Sequence, residues 1–245
     1  MVRLPLSRIW EFALRSNLYA SKIRLDATAR ALVPRLTGRV LDVGAGAQPY
    51  RRYLPIGGEY SAMESNGDLS PDIVGDVLDI PLEDDMFDSV ICAEVIEHVE
   101  DPQLAIRELQ RVCKSGGLLY LTAPMEWGLH YEPHDYFRFT RYGLTSMLER
   151  AGFRVVETRQ IGGVFAVISG RLSDVMVNLL YRVGFPLKYI VGNRLRISIL
   201  SLIAFPFVVF GDLLAALADA VIPGTRKDAL GWVILAENVG EPHEK

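Results

Sequence analysis

The stretch Val40-Leu41-Asp42-Val43-Gly44-Ala45-Gly46 decides the architecture of this chain. Residues 40–43 form a short, mostly apolar and β-branched run between Gly38 and Gly44, the pattern of a buried strand. Gly44 and Gly46 then let the backbone turn sharply and approach a ligand closely. A strand that runs straight into a glycine loop places that loop at the strand's carboxyl end. In an open parallel sheet, ligands bind at that edge.

The same rhythm continues on both sides. Residues 7 to about 35 mix polar and apolar positions at helical spacing, which predicts one or two helices. After the glycine loop a short helix is expected near 48–53, and its free N–H groups would suit a ligand carboxylate. Residues 60–63 read as a second strand ending at Glu64, 73–74 as a short third and 89–93 as a fourth. A helix over 101–112 precedes a fifth strand at 118–122, with Gly116-Gly117 expected as the turn between them. Thr140 N-caps a helix that stops at Gly152. Strands follow at 153–158 and 232–236. Strands alternating with helices imply a mainly parallel sheet covered on both faces.

Three acids fall at the ends of three successive strands. Asp42 stands two residues before Gly44, where a carboxylate can hold an ammonium group. Glu64, twenty residues after Gly44, is placed to accept both ribose hydroxyls. Asp76, in Gly75-Asp76-Val77, can accept from an adenine amino group while the Val77 N–H donates to the ring. A dinucleotide fingerprint would need a third glycine, and Pro49 stands in its place. That argues against a nicotinamide-dependent oxidoreductase. Any one of these acids alone would more simply be a turn or cap residue.

These stretches resemble the class I S-adenosylmethionine (SAM)-dependent methyltransferase superfamily. The chain is especially similar to the branch with the quinone-biosynthesis methyltransferases. The resemblance continues through Ile80-Pro81-Leu82, 87–92, Glu94-Val95-Ile96-Glu97-His98-Val99 and Ala151-Gly152-Phe153. It spans about 38–160 plus the last strand. It implies an α/β, Rossmann-like, seven-stranded and mostly parallel sheet with helices on both faces, its final strand inserted antiparallel. It also implies SAM as cofactor, with contacts at Asp42, Gly44, Gly46, Glu64, Asp76 and Val77. Glu94, just past the fourth strand, is added as a cofactor-side residue.

The acceptor side is read from two clusters. Glu97 and His98 follow the fourth strand, and residues 130–139 lie on the same sheet edge. Within the second cluster His130, Tyr131, Tyr136 and Arg138 can bind a polar group, and Arg138 suits a carboxylate or phosphate. An alternative is that Asp135 and Arg138 only pin the loop as an ion pair. His134 or His98 would serve as general base for a hydroxyl acceptor. The Glu94-x-x-Glu97-His98 run with a later histidine also resembles the magnesium site of small-RNA 2′-O-methyltransferases. The run is common in metal-free relatives, so no metal is expected.

The bulk numbers fit a folded globular chain: 245 residues, 50% hydrophobic, 23% charged, net charge −4. An acidic balance gives no case for a nucleic-acid partner. Residues 1–39 carry eight Lys or Arg against two acids, a local +6, so the remainder carries −10. Such a basic segment suits anionic lipid or phosphate, or is simply a solvated helix face. Cys92 and Cys113 make no disulfide framework, so a reducing, cytoplasmic setting is expected. Glu11 interrupts the apolar stretch between Arg8 and Arg15, so no secretory leader is expected there.

The expected organisation is therefore a basic helical segment at 1–37, the SAM-binding core at 38–160, an apolar helical insert at 161–226, and the last strand and tail at 227–245. Within the insert, Ile197 to Gly211 carries no charge, and Pro206 inside that run would kink a helix. Asp212 and Asp219, seven apart, share a helix face. Three arrangements fit the insert: a lid, a homodimer interface, or a segment lying in a membrane surface. The function expected is methyl transfer from SAM to a small-molecule or lipid-linked hydroxyl, with a non-catalytic SAM-binding scaffold and an RNA 2′-O-methyltransferase as rivals.

Overall fold

The computed structural model describes residues 16–183, 188–222, 224 and 227–240. The portion of the N-terminal reading that falls on 1–15 lies outside them. The chain divides into two compact units, Asp26–Gln160 with Gly231–Lys245, and Met1–Leu25 with Ile161–Leu230.

The first unit is built on a seven-stranded sheet. Its strands are β1 (Arg39–Val43), β2 (Glu59–Glu64), β3 (Ile73–Val74), β4 (Phe87–Ala93), β5 (Cys113–Pro124), β6 (Phe153–Ile161) and β7 (Gly231–Asn238), in the order β3-β2-β1-β4-β5-β7-β6. The β1–β2, β2–β3, β1–β4 and β4–β5 pairs are parallel. β7 runs antiparallel to β5, from Leu118 opposite Glu237 to Pro124 opposite Gly231. Burial along β1, β4 and β7 is nearly continuous rather than alternating, as expected of a sheet covered on both faces.

Helix α1 (Ser16–Leu32) enters this unit at its C-terminal turns, where Ala29 and Leu32 are fully buried. α2 (Pro102–Val112) starts at Asp101, whose carboxylate accepts the Leu104 N–H at 2.9 Å, and buries Ala105, Ile106, Leu109 and Val112. α3 (Arg141–Arg150) starts at Thr140, whose hydroxyl accepts the Gly143 N–H at 3.1 Å. Among the described residues, three of the basic side chains near the N-terminus are ion-paired. Arg30 meets Asp26, Arg35 meets Glu157 and Arg39 meets Glu59.

Two expectations are corrected. No α-helix follows the glycine loop; only a single 3-10 turn, Arg51–Tyr53, does. Gln48 sits at φ +56° directly before Pro49, and the residue before a proline is driven out of the helical region. The loop therefore has no helix dipole to offer. Gly116-Gly117 is not the turn between α2 and β5. α2 ends at Val112 and β5 begins at once at Cys113. The glycines instead form a bulge within β5, where the register on β4 shifts between Phe87 and Ser89. Gly116 takes φ +78°, and a Cβ at Gly117 would lie 2.8 Å from the Cys113 sulfur.

The second unit contains a helical hairpin of α4 (Val164–Val183) and α5 (Lys188–Val221). Helical assignment runs unbroken through Pro206. Ala204 and Val208 of α5 pack with Val177 of α4 in the seam. Both acids of α5 turn inward. Asp212 accepts the Ser169 hydroxyl at 3.0 Å. Asp219 caps the start of α4, accepting the N–H groups of Gly163 at 2.9 Å and of Phe165 and Ala166 at 3.1 Å. Replacing Asp219 with alanine leaves three amides without this acceptor. We expect the hairpin to lose about 2 kcal/mol. Hydrogen exchange at Phe165 and Ala166 should accelerate at least tenfold, and unchanged exchange would disprove the capping role.

Candidate active site

At the carboxyl ends of β1, β2 and β4, a cavity of about 710 Å³ opens. It is lined by Gly44, Glu64, Asp76, Val77, Glu94, His98, His130, Tyr131, His134 and Tyr136, together with Val95 and Glu100. A second hollow of about 670 Å³ lies at the opposite ends of the strands, around Gly38 and Asp88. The first holds the chemistry, because parallel sheets present their loops and ligands at the carboxyl edge.

The glycine loop is held by its backbone. The N–H groups of Gly44 and Ala45 donate to the Met63 carbonyl at 2.9 and 3.2 Å. Gly44 takes φ +68° and a Cβ there would lie 2.4 Å from Val95 Cγ2, while Gly46 takes φ +51° with nothing within 4 Å. Glu64, at the end of β2, accepts the Gly46 N–H in a short hydrogen bond. Its backbone carbonyl takes the Gly75 N–H at 2.9 Å, which brings Asp76 beside it. The Asp76 carboxylate also accepts the Leu78 N–H at 2.9 Å, so it shapes its own turn. Two acids and an open glycine loop thus share one cavity of a size suited to a nucleoside ligand.

Asp42 stands apart. Its side chain is 1% exposed, lies outside the cavity lining, and accepts the Tyr60 hydroxyl at 2.6 Å. Burial pushes its pKa up to about 7, against the opposing Tyr60 hydrogen bond. In this structure Asp42 holds β2 against β1 through Tyr60, a partner the sequence pattern did not single out.

Glu94 turns the chain from β4 into the cavity with φ +56°, a left-handed backbone that is costly for a residue with a side chain. Its N–H donates to the Thr122 carbonyl at 3.1 Å, and the Thr122 hydroxyl donates to its carboxylate at 2.7 Å. Burial raises its pKa, against the opposing Thr122 hydrogen bond. Thr122 is the second supporting residue that the sequence reading missed.

The 130–139 loop is anchored by Glu97. The Glu97 carbonyl accepts the N–H groups of Tyr136 at 2.9 Å and Phe137 at 3.2 Å. Arg138 forks onto Asp135 at 2.6 and 2.8 Å and donates to the carbonyls of Trp127, Gly128 and Phe137. Its guanidinium is committed to the loop, which supports the pinning alternative over acceptor binding. Asp135 also accepts the His130 N–H at 2.8 Å. The Arg138 guanidinium holds the Asp135 carboxyl at about 2, below its usual range.

A depressed acid stabilises the folded chain above its unfolded pKa of about 3.9 and loses that contribution as pH falls through about 2. Asp135→Asn should therefore cost about 2 kcal/mol at pH 7. The gap from wild type should shrink below about pH 4. Denaturant titrations across pH would check it, and a pH-independent gap would exclude the charge as the cause.

The imidazoles converge. His98 and His130 meet edge to face at 4.7 Å, and His98 lies 5.3 Å from the Tyr131 ring. Desolvation lowers the His98 pKa, favouring the neutral ring. His134 is exposed, with Nδ1 3.2 Å from the Tyr136 hydroxyl. Both base candidates and His130 thus border the cavity that holds Gly44 and Glu64.

This strand order and glycine loop have the form of the class I SAM-dependent methyltransferase fold, and SAM is the cofactor of that class. Residues 41–121 match the methyltransferase domain family. The chain is similar to 2-methyl-6-phytyl-1,4-hydroquinone methyltransferase 1 of Oryza sativa, at 32% identity over 37% of this chain and 28% of that protein. It is 33% identical to the ubiquinone biosynthesis O-methyltransferase of Xanthomonas oryzae, over 41% of this chain and 48% of that one. The chain thus spans less than half the length of either relative. Among solved structures, the [4+2]-cyclase SpnF superposes with a TM-score of 0.54 at 18% identity, over 89% of this chain and 81% of that one. A putative sarcosine dimethylglycine methyltransferase of Galdieria sulphuraria gives 0.51 at 17%, over 90% and 85%. At such identities these two structures speak for the fold alone.

Proposed function

We propose that this protein transfers a methyl group from SAM to a hydroxyl of a lipid-linked acceptor. The carrying observation is the shared cavity: Gly44, Glu64 and Asp76 at one side, His98, His130 and His134 at the other. Glu64 is the candidate for the ribose hydroxyls, Asp76 with Val77 for the adenine, and the Gly44–Gly46 loop for the amino-acid half. Bound SAM supplies a methyl group already attached to a good leaving group. What the residues must add is alignment of the acceptor oxygen and a place for its proton. With SAM bound, the methyl group would pass from sulfur to that oxygen, and an imidazole would take the hydroxyl proton. An array of imidazoles suits a hydroxyl better than a carbanion, which would need no base. Two relatives are named for hydroquinone and ubiquinone chemistry, and one of them is an O-methyltransferase.

The lipid assignment draws on the hairpin. Leu202–Val221 is long and apolar enough, by length and composition, to cross a membrane. Leu202, Ile203, Phe207, Phe210, Leu214 and Leu217 stand exposed on α5, while Asp212 and Asp219 turn inward. A helix that is apolar all round needs cover on its outer face. α4 adds the exposed stripe Ile168, Leu172, Val175 and Leu179, yet it also carries Arg171, Asp174, Asn178 and Arg182 along another face. That polar face belongs in water. The hairpin is therefore assigned to lie in the plane of a membrane surface rather than to span it.

The test is purified protein with methyl-labelled SAM and a lysate separated into lipid, aqueous, protein and RNA fractions. Label in the lipid fraction, released by conditions that cleave a methyl ether and not by mild alkali, is the expected result. Label confined to another fraction would refute the lipid acceptor. SAM binding with no label anywhere would favour a scaffold.

A further inference from the structure

Glu97 is fully buried, and its two carboxylate oxygens have no hydrogen-bond partner beyond the residue's own amide. Leaving a buried carboxylate unpaired is costly. What faces it is two imidazoles. His98 Nε2 lies 3.6 Å and His130 Nε2 3.9 Å from Glu97 Oε1.

The other ring nitrogens fix what those Nε2 atoms carry. His98 Nδ1 is 2.6 Å from the backbone carbonyl of His134, and a carbonyl can only accept, so Nδ1 holds the hydrogen. His130 Nδ1 faces the Gly128 carbonyl at 3.2 Å and the Asp135 carboxylate at 3.5 Å, again acceptors. Arg138 Nη2 is also 3.4 Å from that nitrogen, but it donates to Gly128 and Asp135 at 2.9 and 2.8 Å. In the neutral ring, an Nδ1 that donates leaves Nε2 with a bare lone pair. Two imidazole lone pairs and a carboxylate therefore point at one another, with donor atoms all within 4.8 Å. Three lone-pair atoms so placed suit a cation between them. A metal-bound histidine usually donates its second ring nitrogen to a carbonyl or carboxylate, as both do here.

We propose that Glu97, His98 and His130 form a binding site for a divalent transition-metal ion. Two imidazoles and one carboxylate suit zinc, cobalt or iron rather than calcium or magnesium, which prefer all-oxygen shells. Bonds of about 2.0–2.2 Å would draw Glu97 Oε1 toward each Nε2 by only a few tenths of an ångström. His98 and His130 border the cavity, so an open coordination position faces it. That position would hold the acceptor oxygen, a role that rests on the methyl-transfer reading and leaves His134 to take the proton. The sequence reading expected no metal; the tautomers and the orphaned carboxylate are what change that.

The full-length chain is stripped with chelator and titrated with Co²⁺ alone, following visible absorption, and with Zn²⁺ by equilibrium dialysis. A single saturable ion per chain is expected, with the visible bands of nitrogen- and oxygen-bound Co²⁺. Glu97→Gln and His130→Gln should each weaken binding at least a hundredfold. Retained SAM binding in both variants shows that the fold survives. No saturable binding of either ion by the wild type overturns the site, as does equal affinity in both variants. Metal binding without methyl transfer would leave the site standing and defeat the functional reading instead.

Discussion

Gly44→Ala is expected to lower SAM affinity at least a hundredfold and to destabilise the core severely, whereas Gly46→Ala should weaken SAM binding at the smaller stability cost of its backbone strain alone. Both glycines occupy the left-handed region, at φ +68° and +51°, which costs a side-chain-bearing residue about 1–2 kcal/mol. Their surroundings separate them. A Cβ at Gly44 would sit 2.4 Å from Val95 Cγ2. Valine is stiff at χ1 and cannot swing aside, and Val95 follows Glu94, itself held at φ +56°. Relief must come from moving the loop or the β4 end, adding about 1–3 kcal/mol. At Gly46 nothing lies within 4 Å, so the new methyl group enters the space assigned to the cofactor. Calorimetric SAM titration beside thermal melts would resolve the pair. If Gly46→Ala binds SAM like the wild type, the loop does not cradle the cofactor as assigned.

The core was readable because its signals are local. The apolar run of β1, the glycines after it, and acids at the ends of β2 and β3 all report on themselves or on near neighbours. Thr140 was readable as a cap for the same reason. The glycines that failed show the limit of that logic. Gly116-Gly117 has the composition of a turn, but Gly117 is small because Cys113 and the β4 backbone crowd it inside a strand. The short helix after the loop failed because Gln48 and Pro49 deny it a nucleus. Long-range pairing was beyond reach. Nothing in the spacing of Asp42 and Tyr60, or of Glu94 and Thr122, states that each acid would be held by the other's hydroxyl. The approach of His130 to Glu97 and His98 depends on how the 125–139 loop folds back. That fold is set by Arg138, which the sequence offered equally as an acceptor ligand.

That Asp212 and Asp219 share a face was legible from their spacing of seven; that this face turns inward was not, and it leads to the second large effect. Replacing both Phe207 and Phe210 by glutamate should abolish association with vesicles of phosphatidylcholine and phosphatidylglycerol. These rings are 65% and 60% exposed, on a face of α5 whose exposed side chains carry no charge from Leu202 to Val221. Moving one such ring out of water is worth about 1.5–3 kcal/mol. Two lost rings remove about 3–6 kcal/mol, and two carboxylates near anionic lipid add desolvation and repulsion. The drop in partitioning should exceed a hundredfold. The seam residues Val177, Ala204 and Val208 are untouched, so helicity and SAM binding should persist. Vesicle co-sedimentation measures the first quantity and light scattering guards against the main rival. If the wild type ignores vesicles and elutes as a dimer that the double variant splits, the outer face of α5 belongs to a second copy of this chain. Methyl transfer to a soluble form of the acceptor should survive the double variant, because it leaves Glu64, Asp76 and the imidazoles intact. Loss of transfer only when the acceptor is presented in vesicles would tie the hairpin to delivery of a membrane-held substrate.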